Sequence, residues 1–171
     1  MNILLQPFKK EDLEKIVEWR NDPKVNKYLA NRNKTLPEVI EWFEKSFKKQ
    51  NDLIFGIFIS NQLIGYCEIE SIDKNHKKCE MGIIIGEQNY WGKGIAEYII
   101  KKLLKIVFED LKLHRCLAVI DKGNIASSKC FRAAGFKYEG KLRDATIVDE
   151  KYCDLLLYSV LEDEYNKMIL K

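Results

Sequence analysis

No stretch of this sequence is apolar for long enough to cross a bilayer. The longest nearly unbroken runs, such as Ile83 to Ile85 and Leu155 to Leu157, fall far short of the roughly 20 residues that a spanning helix needs. The opening, Met1-Asn2-Ile3-Leu4-Leu5-Gln6-Pro7, lacks the basic segment and extended apolar stretch of a secretory signal. The expectation is therefore a cytoplasmic protein with no membrane partner. Charge of one sign is also scarce: 29 lysines and arginines face 26 acidic residues, for a net charge of +3. Lys101, Lys102 and Lys105 are interspersed with acids, so no basic stripe exists and no nucleic-acid partner is expected. The small excess still allows a local patch for a phosphorylated small molecule. His76 and His114 stand alone, which excludes a histidine triad or a histidine-based metal cluster. The five cysteines (67, 79, 116, 130 and 153) are odd in number and form no C-x-x-C pair, so neither a zinc site nor a disulfide framework is expected. They read as buried small apolar residues, none placed as a nucleophile beside a histidine.

What is present is a chain of 171 residues, 46% hydrophobic and 32% charged, a balance that suits a packed core. No repeat or Pro/Gly-rich linker divides it, and residues 1–171 read as a single domain. Ile3 to Pro7 reads as a strand and Glu11 to Arg20 as a helix broken by Asn21-Asp22-Pro23. A second helical piece is expected over Val25 to Leu29. Thr35-Leu36-Pro37-Glu38 has capping-box form and opens a helix to about Lys49. Leu53 to Ile59 and Leu63 to Ile72 form a hairpin through Ser60-Asn61-Gln62, followed by a strand over Cys79 to Ile85. From Ile95 to Leu111, apolar residues recur at helical spacing. A strand over Arg115 to Ile120, a helix from Ile125 to Ala134, two strands (Phe136 to Ala145 and Tyr152 to Val160) and a tail helix complete the chain. The fold class is α/β (α+β), with a mixed sheet and hairpins toward both ends.

The segment Gln88-Asn89-Tyr90-Trp91-Gly92-Lys93-Gly94-Ile95-Ala96 joins a buried strand to the long amphipathic helix. A helix start of this kind presents unpaired amide hydrogens and a partial positive charge, and its glycines let an anion approach the backbone. It matches neither a Walker A loop nor a complete G-x-G-x-x-G. Taken alone it is equally an ordinary strand-to-helix turn. Downstream, Asn124 reads locally as a helix N-cap, with Ser127 one turn on.

Together these motifs resemble the GNAT acetyltransferases. The resemblance rests on Gly92-Lys93-Gly94 before a helix, Asn124 with Ser127, and Gly135-Phe136 at the helix end. Glu80-Met81-Gly82 ahead of an Ile-rich strand, Trp19-Arg20-Asn21-Asp22-Pro23 and Gly140-Lys141-Leu142-Arg143-Asp144 look like the branch related to ribosomal-protein alanine N-acetyltransferases. The resemblance spans essentially the whole chain and says little about the acceptor. It implies a mostly antiparallel central sheet flanked by helices on both faces. It implies acetyl-CoA as co-substrate, no metal, and direct transfer to a primary amine.

By the same resemblance, the backbone from Asn89 through Tyr90, Trp91, Gly92, Lys93, Gly94 and Ile95 to Ala96 would hold the CoA diphosphate. The peptide groups of Ile83, Ile84 and Ile85 would pair with the pantetheine arm like an added strand, and Asn124 would bond the same arm. The loop departs from the family pattern at Asn89, with Gln88 one place early. An ammonium with pKa near 10 needs a base at neutral pH; Glu80 is the first candidate and Glu68, on the neighbouring strand, the second. Where many members place a tyrosine acid this chain has Phe131, which lines the cofactor but has no proton to give. Ser127 is the substitute, either protonating or hydrogen-bonding the sulfur, or simply capping the helix. Trp19, Arg20 and Asn21 fall where the family builds its acceptor groove, Trp19 equally as packed core and Arg20 facing an acidic acceptor group. Tyr90 and Trp91 either wall the tunnel or pack beneath the loop. The acceptor is expected to be a protein N-terminal amine or an amino-sugar nucleotide. The alternatives are a polyamine, an antibiotic amine, or a CoA-binding regulatory protein without turnover. A homodimer is compatible with all of these.

Overall fold

The computed structural model describes residues 2–7, 9–29, 32–48 and 52–170. The chain runs β1 (Ile3–Gln6), α1 (Leu13–Asn21), α2 (Leu36–Lys48), β2 (Leu53–Ile59), β3 (Gln62–Asp73), β4 (Lys78–Ile85) and α3 (Ile95–Lys105). It continues through β5 (Arg115–Asp121), α4 (Ile125–Ala133), β6 (Lys137–Val148), β7 (Lys151–Leu161) and α5 (Glu162–Ile169). One seven-stranded sheet results, in the order β1-β2-β3-β4-β5-β7-β6. Each neighbouring pair is antiparallel except β4 with β5.

Alternation along the strands sorts side chains into two cores. Cys67 and Ile69 of β3 and Cys79 and Met81 of β4 meet Ile95, Ile99, Ile100, Leu103 and Leu104 of α3 on one face. Tyr66 of β3 and Ile84 of β4 point the other way, into a cluster with Leu13, Ile16 and Trp19 of α1 and Val39 of α2. Each such side chain contributes about 1.5–3 kcal/mol on burial, so both helical layers are held by apolar contact. Two of the hairpins turn on paired left-handed residues, Ser60 and Asn61 (φ 49° and 64°) and Asp149 and Glu150 (φ 49° and 61°). That matches the twist of the strands they join. The expected capping box opens α2, where the Thr35 N–H and hydroxyl both donate to Glu38 at 2.8 Å. These bonds, the backbone one foremost, hold the Glu38 carboxyl down at about 2. The expected end of α2 at Lys49 lies outside the described residues.

Four expectations need correction. Val25 to Leu29 is a series of turns, not a helix. The Asp22 carboxylate takes the Lys24 N–H at 2.8 Å and the Asn26 side chain bonds the Arg20 carbonyl at 2.9 Å, so local side chains occupy the backbone groups a helix would use. α1 begins at Leu13, after a tighter 3-10 turn over Lys10–Asp12. The long helix is α only to Lys105; Ile106–Asp110 winds as a π turn, closed by the Leu111 N–H on the Ile106 carbonyl at 2.9 Å. Cys67, Cys79 and Cys116 are buried as expected, but Cys130 and Cys153 are only partly so.

The feature that positions the site is the short parallel seam. β4 pairs with β5 over Lys78–Glu80 against Arg115–Leu117, and no further. Beyond Glu80 the two strands part, and β5 continues paired to β7 alone among the described residues. The sheet is forked at its centre.

Candidate active site

The fork exposes hydrogen-bonding groups that a closed sheet would consume. The Gly86 N–H donates to the Ile64 carbonyl at 2.9 Å, which fixes the phase of the antiparallel ladder between β3 and β4. Strict alternation then spends the peptide groups of Ile84 and Gly82 on Tyr66 and Glu68. The peptide groups of Ile83 and Ile85 turn away from β3, into the opening left by β5, while Met81 closes the last rung of the parallel seam. The expectation for Ile83 to Ile85 is thereby corrected: Ile83 and Ile85 offer amides to the cleft, whereas Ile84 belongs to the ladder. At the outer end of this edge the Trp91 indole N–H donates to the Ile85 carbonyl at 2.7 Å.

From β4 the chain passes through a 3-10 turn (Gln88–Tyr90) into the glycine loop and α3. Gly92 and Gly94 both hold left-handed φ, 71° and 74°, and a Cβ on either would meet nothing within 4 Å. The loop is thus open to solvent. Gly94 is the N-cap of α3 and offers no side chain to the first turn, so the amides that begin the helix stay available to an anion. Asn89, Trp91 and Lys93 are exposed, and Lys93 Nζ rests 5.6 Å from the centre of the Tyr90 ring, itself packed against the core. Ile95 is buried beneath the loop beside a partly buried Ala96. Across the cleft, Asn124 caps α4, its Oδ1 accepting the Ser127 N–H at 3.1 Å. That leaves the amide NH2 of Asn124 as the group able to meet a ligand. Phe131 is a core residue, 3% exposed and edge-on to Phe136 at 5.0 Å, so it does not line the cleft.

The other face of β4 carries the acids. Glu68 and Glu70 of β3 and Glu80 of β4 share one side of the sheet; Glu70 stands opposite Glu80, and Glu68 opposite Gly82. The missing side chain at Gly82 is occupied by Glu68, whose Oε1 lies 2.9 Å from where a Cβ would stand. Burial, then the Glu70 charge, pushes the Glu68 carboxyl up to about 7, with Arg20 pulling the other way. Burial, then Glu70, also raises Glu80. Glu68 and Glu70 floor a cavity of about 510 Å³, bounded by Trp42 and Ile54 and by Glu38, Glu41 and Asp52, with Arg20, Lys34 and Lys45 as its cations. Glu80 is not among the residues that line it.

The three residues expected in the acceptor groove divide. Arg20 lines the cavity, but its guanidinium is engaged, donating to the Tyr66 hydroxyl and lying 5.5 Å from the Trp42 ring centre. It is not held out for an acidic acceptor. Trp19 is 4% exposed and packs so tightly on Gly86 that a Cβ there would fall 2.0 Å from its ring. Asn21 donates to the Val17 and Lys34 carbonyls, both at 2.8 Å, and stitches α1 to the segment before α2. Trp19 and Asn21 are structural. Sequence reasoning missed Glu70, Asp52 and Trp42. The spacing of Glu68 and Glu70, two apart on a strand, was the available signal.

The comparisons agree with this geometry. Residues 2–137 match the acetyltransferase (GNAT) domain model, and the chain belongs to that family. An uncharacterized N-acetyltransferase, p20, of Bacillus licheniformis is 29% identical across 95% of this chain and 94% of its own. The putative ribosomal N-acetyltransferase YdaF of Bacillus subtilis is 28% identical across 95% and 91%. Spermidine N-acetyltransferase from Vibrio cholerae, solved with CoA and spermine, superimposes with a TM-score of 0.87 at 24% identity, covering 96% of this chain and 98% of that one. The chain is an acetyl-CoA-dependent N-acetyltransferase. Among the described residues no helix is long and apolar enough to cross a membrane, and no cluster of three metal-ligating side chains occurs.

Proposed function

We propose that the chain moves the acetyl group of acetyl-CoA directly to a small primary amine that is cationic in solution, with Glu68 as the base. The observation that carries this is the Glu68 carboxylate seated over Gly82, between the acid-lined cavity and the peptide edge of the fork. The ammonium enters from the cavity and passes a proton to Glu68. The free amine forms the new C–N bond as the C–S bond breaks, and CoA leaves as a thiolate with an ordinary thiol pKa of about 8.5. Phe131 has no proton to donate, and such a leaving group tolerates its absence. Ser127, in the first turn of α4 beside Asn124, is our candidate for hydrogen-bonding the sulfur. The Ile83 and Ile85 amide hydrogens are the donors for the developing oxyanion. Asn89 to Ala96 hold the diphosphate, and Ile83, Ile85 and Asn124 hold the pantetheine arm. Glu80 becomes the second candidate for the base, since it stands opposite Glu70 and outside the cavity wall.

A cavity dominated by carboxylates repels the phosphates of an amino-sugar nucleotide and attracts an ammonium. That favours a polyamine-type acceptor over a nucleotide-linked sugar, and the spermine-bound fold relative supports it. The exposed Tyr138, Leu142 and Ile147 of the edge strand β6 support a homodimer. A cytoplasmic setting suits the co-substrate. The test is thiol release from acetyl-CoA with a panel of polyamines, 4-amino-sugar nucleotides and N-terminal peptides, run on wild type, Glu68→Gln and Glu80→Gln. Polyamine turnover that drops about 10²–10⁴-fold in Glu68→Gln alone is expected. Preference for the nucleotide sugar, or a loss confined to Glu80→Gln, overturns the assignment.

A further inference from the structure

Resting on the placement of the thioester in the fork with Glu68 as the base, we propose that Tyr28 is a positioning residue that roofs the mouth of the fork and keeps water from the acetyl group. A base able to take a proton from an ammonium can take one from water as well. Water would then add its oxygen to the acetyl carbon as the C–S bond breaks, giving acetic acid, CoA thiolate and a protonated Glu68. Productive transfer therefore needs the amine side of the fork covered. The turns that follow α1 leave it on the face of the sheet that carries Glu68, and they pass from one limb of the fork to the other. At the β4 limb, Asp22 Oδ2 accepts the Gln88 side-chain N–H at 2.7 Å. At the β5 limb, the Tyr28 ring rests on Gly123, where a Cβ would fall 2.9 Å from Cε1. Gln88 follows β4 and Gly123 follows β5, both beyond the point where the two strands part.

The crossing is held at each step. The Asp22 carbonyl accepts the Val25 and Asn26 N–H groups at 3.0 and 2.8 Å, and the buried Asn26 side chain bonds the Arg20 carbonyl. Lys27 Nζ lies 5.1 Å from the centre of the Tyr28 ring, within cation–π range. Arg32 donates to the Leu29 carbonyl at 3.1 Å and pairs at 3.2 Å with Asp149, in the turn between β6 and β7. The landing is equally fixed. The Gly123 N–H donates to the Asp121 carboxylate at 2.7 Å, and the Asn124 N–H to the Asp121 carbonyl at 2.8 Å. Gly123 adjoins Asn124, the residue assigned to the pantetheine arm, so the ring covers the fork beside the arm that carries the acyl group. Ring carbons, Cε1 and Cδ1, make the contact. Tyr28 thus acts by excluding solvent and not by exchanging a proton.

The experiment follows thiol release from acetyl-CoA with and without spermidine, in wild type, Tyr28→Ala, Tyr28→Phe and Gly123→Ala. Wild type should release little thiol until spermidine is added. General-base help is worth about 10²–10⁴-fold to an admitted water, so amine-free release should rise at least about 10-fold in Tyr28→Ala. Tyr28→Phe, which keeps the ring, should stay at the wild-type level. Gly123→Ala, which displaces the ring without removing it, should raise amine-free release by a smaller factor. Adding Glu68→Gln to Tyr28→Ala should abolish the rise. Amine-free release unchanged in Tyr28→Ala and Gly123→Ala, or raised as much by Tyr28→Phe as by Tyr28→Ala, overturns this inference and leaves the acetyl-transfer reading intact. A rise that survives Glu68→Gln supports the roof and overturns Glu68 as the base. A rise in protein inert toward spermidine supports the roof and overturns the polyamine reading alone.

Discussion

Glu68 and Gly82 face each other across β3 and β4, and the carboxylate of the first fills the space left by the absent side chain of the second. The relationship makes Gly82 a determinant of where the base sits. In Gly82→Ala the new methyl would stand 2.9 Å from Oε1 and 3.1 Å from Cγ of Glu68, so the carboxylate must swing away. We expect kcat to fall about 10²-fold through misplacement of the base, measured by steady-state thiol release. Full turnover by Gly82→Ala would show that the base lies elsewhere.

The Glu68 carboxyl, raised to about 7 first by burial, gives the enzyme a pH signature. Its conjugate base gains population as pH rises through 7, so kcat/KM should climb across that range in wild type. The climb should be absent in Glu68→Gln.

The same shift has a stability counterpart of opposite benefit. Between the ordinary value of 4.5 and about 7, the unfolded chain has released this proton while the folded chain keeps it, so stability declines with rising pH across that window. Glu68→Gln removes the penalty. It should raise the unfolding free energy at pH 8 by up to roughly 3 kcal/mol and leave it nearly unchanged at pH 4, as read by urea midpoints. A destabilised variant at pH 8 would contradict the burial cost.

Gly86→Ala drives a methyl into the Trp19 ring, 2.0 Å from Cδ2. Because Trp19 anchors α1, which also carries Arg20, the overpacking should cost about 1–3 kcal/mol and raise KM for the amine. Denaturant unfolding and acceptor kinetics read the two effects. An unchanged midpoint would mean that α1 moves freely.

Gly94→Ala separates backbone strain from crowding, since nothing lies near its Cβ position while φ is 74°. It should cost about 1–2 kcal/mol of stability for the left-handed conformation and weaken CoA binding as the helix start relaxes. Calorimetry with CoA measures the second effect.

Much of this was legible in the chain itself because the relevant signals are local. The Ser60-Asn61 turn, the Thr35/Glu38 box and the Gly92/Gly94 loop each declare their geometry within a few residues. The π turn after Lys105 was not legible, because apolar spacing does not distinguish a helix that widens by one residue. The turns over residues 25–29 were misread for a related reason: side-chain bonds from Asp22 and Asn26 override the helical preference of the segment. At the site, Glu68 and Glu80 were both visible as strand carboxylates. Ranking them needed the register, which puts Gly82 rather than a side chain opposite Glu68. Trp19 and Arg20 are neighbours in sequence, yet one faces the core and the other the cavity, and only the packing of α1 separates them.

The three-residue seam between β4 and β5 also bears on how the molecule comes apart. Four strands on one side and three on the other share a single narrow weld at Lys78–Glu80, so the sheet is mechanically two plates joined at a corner, with α3 and α4 bracing the rift. Amide-exchange protection at Cys79 and Cys116 therefore gauges the cohesion of the whole sheet, and a ligand lodged in the rift would act as a second rivet.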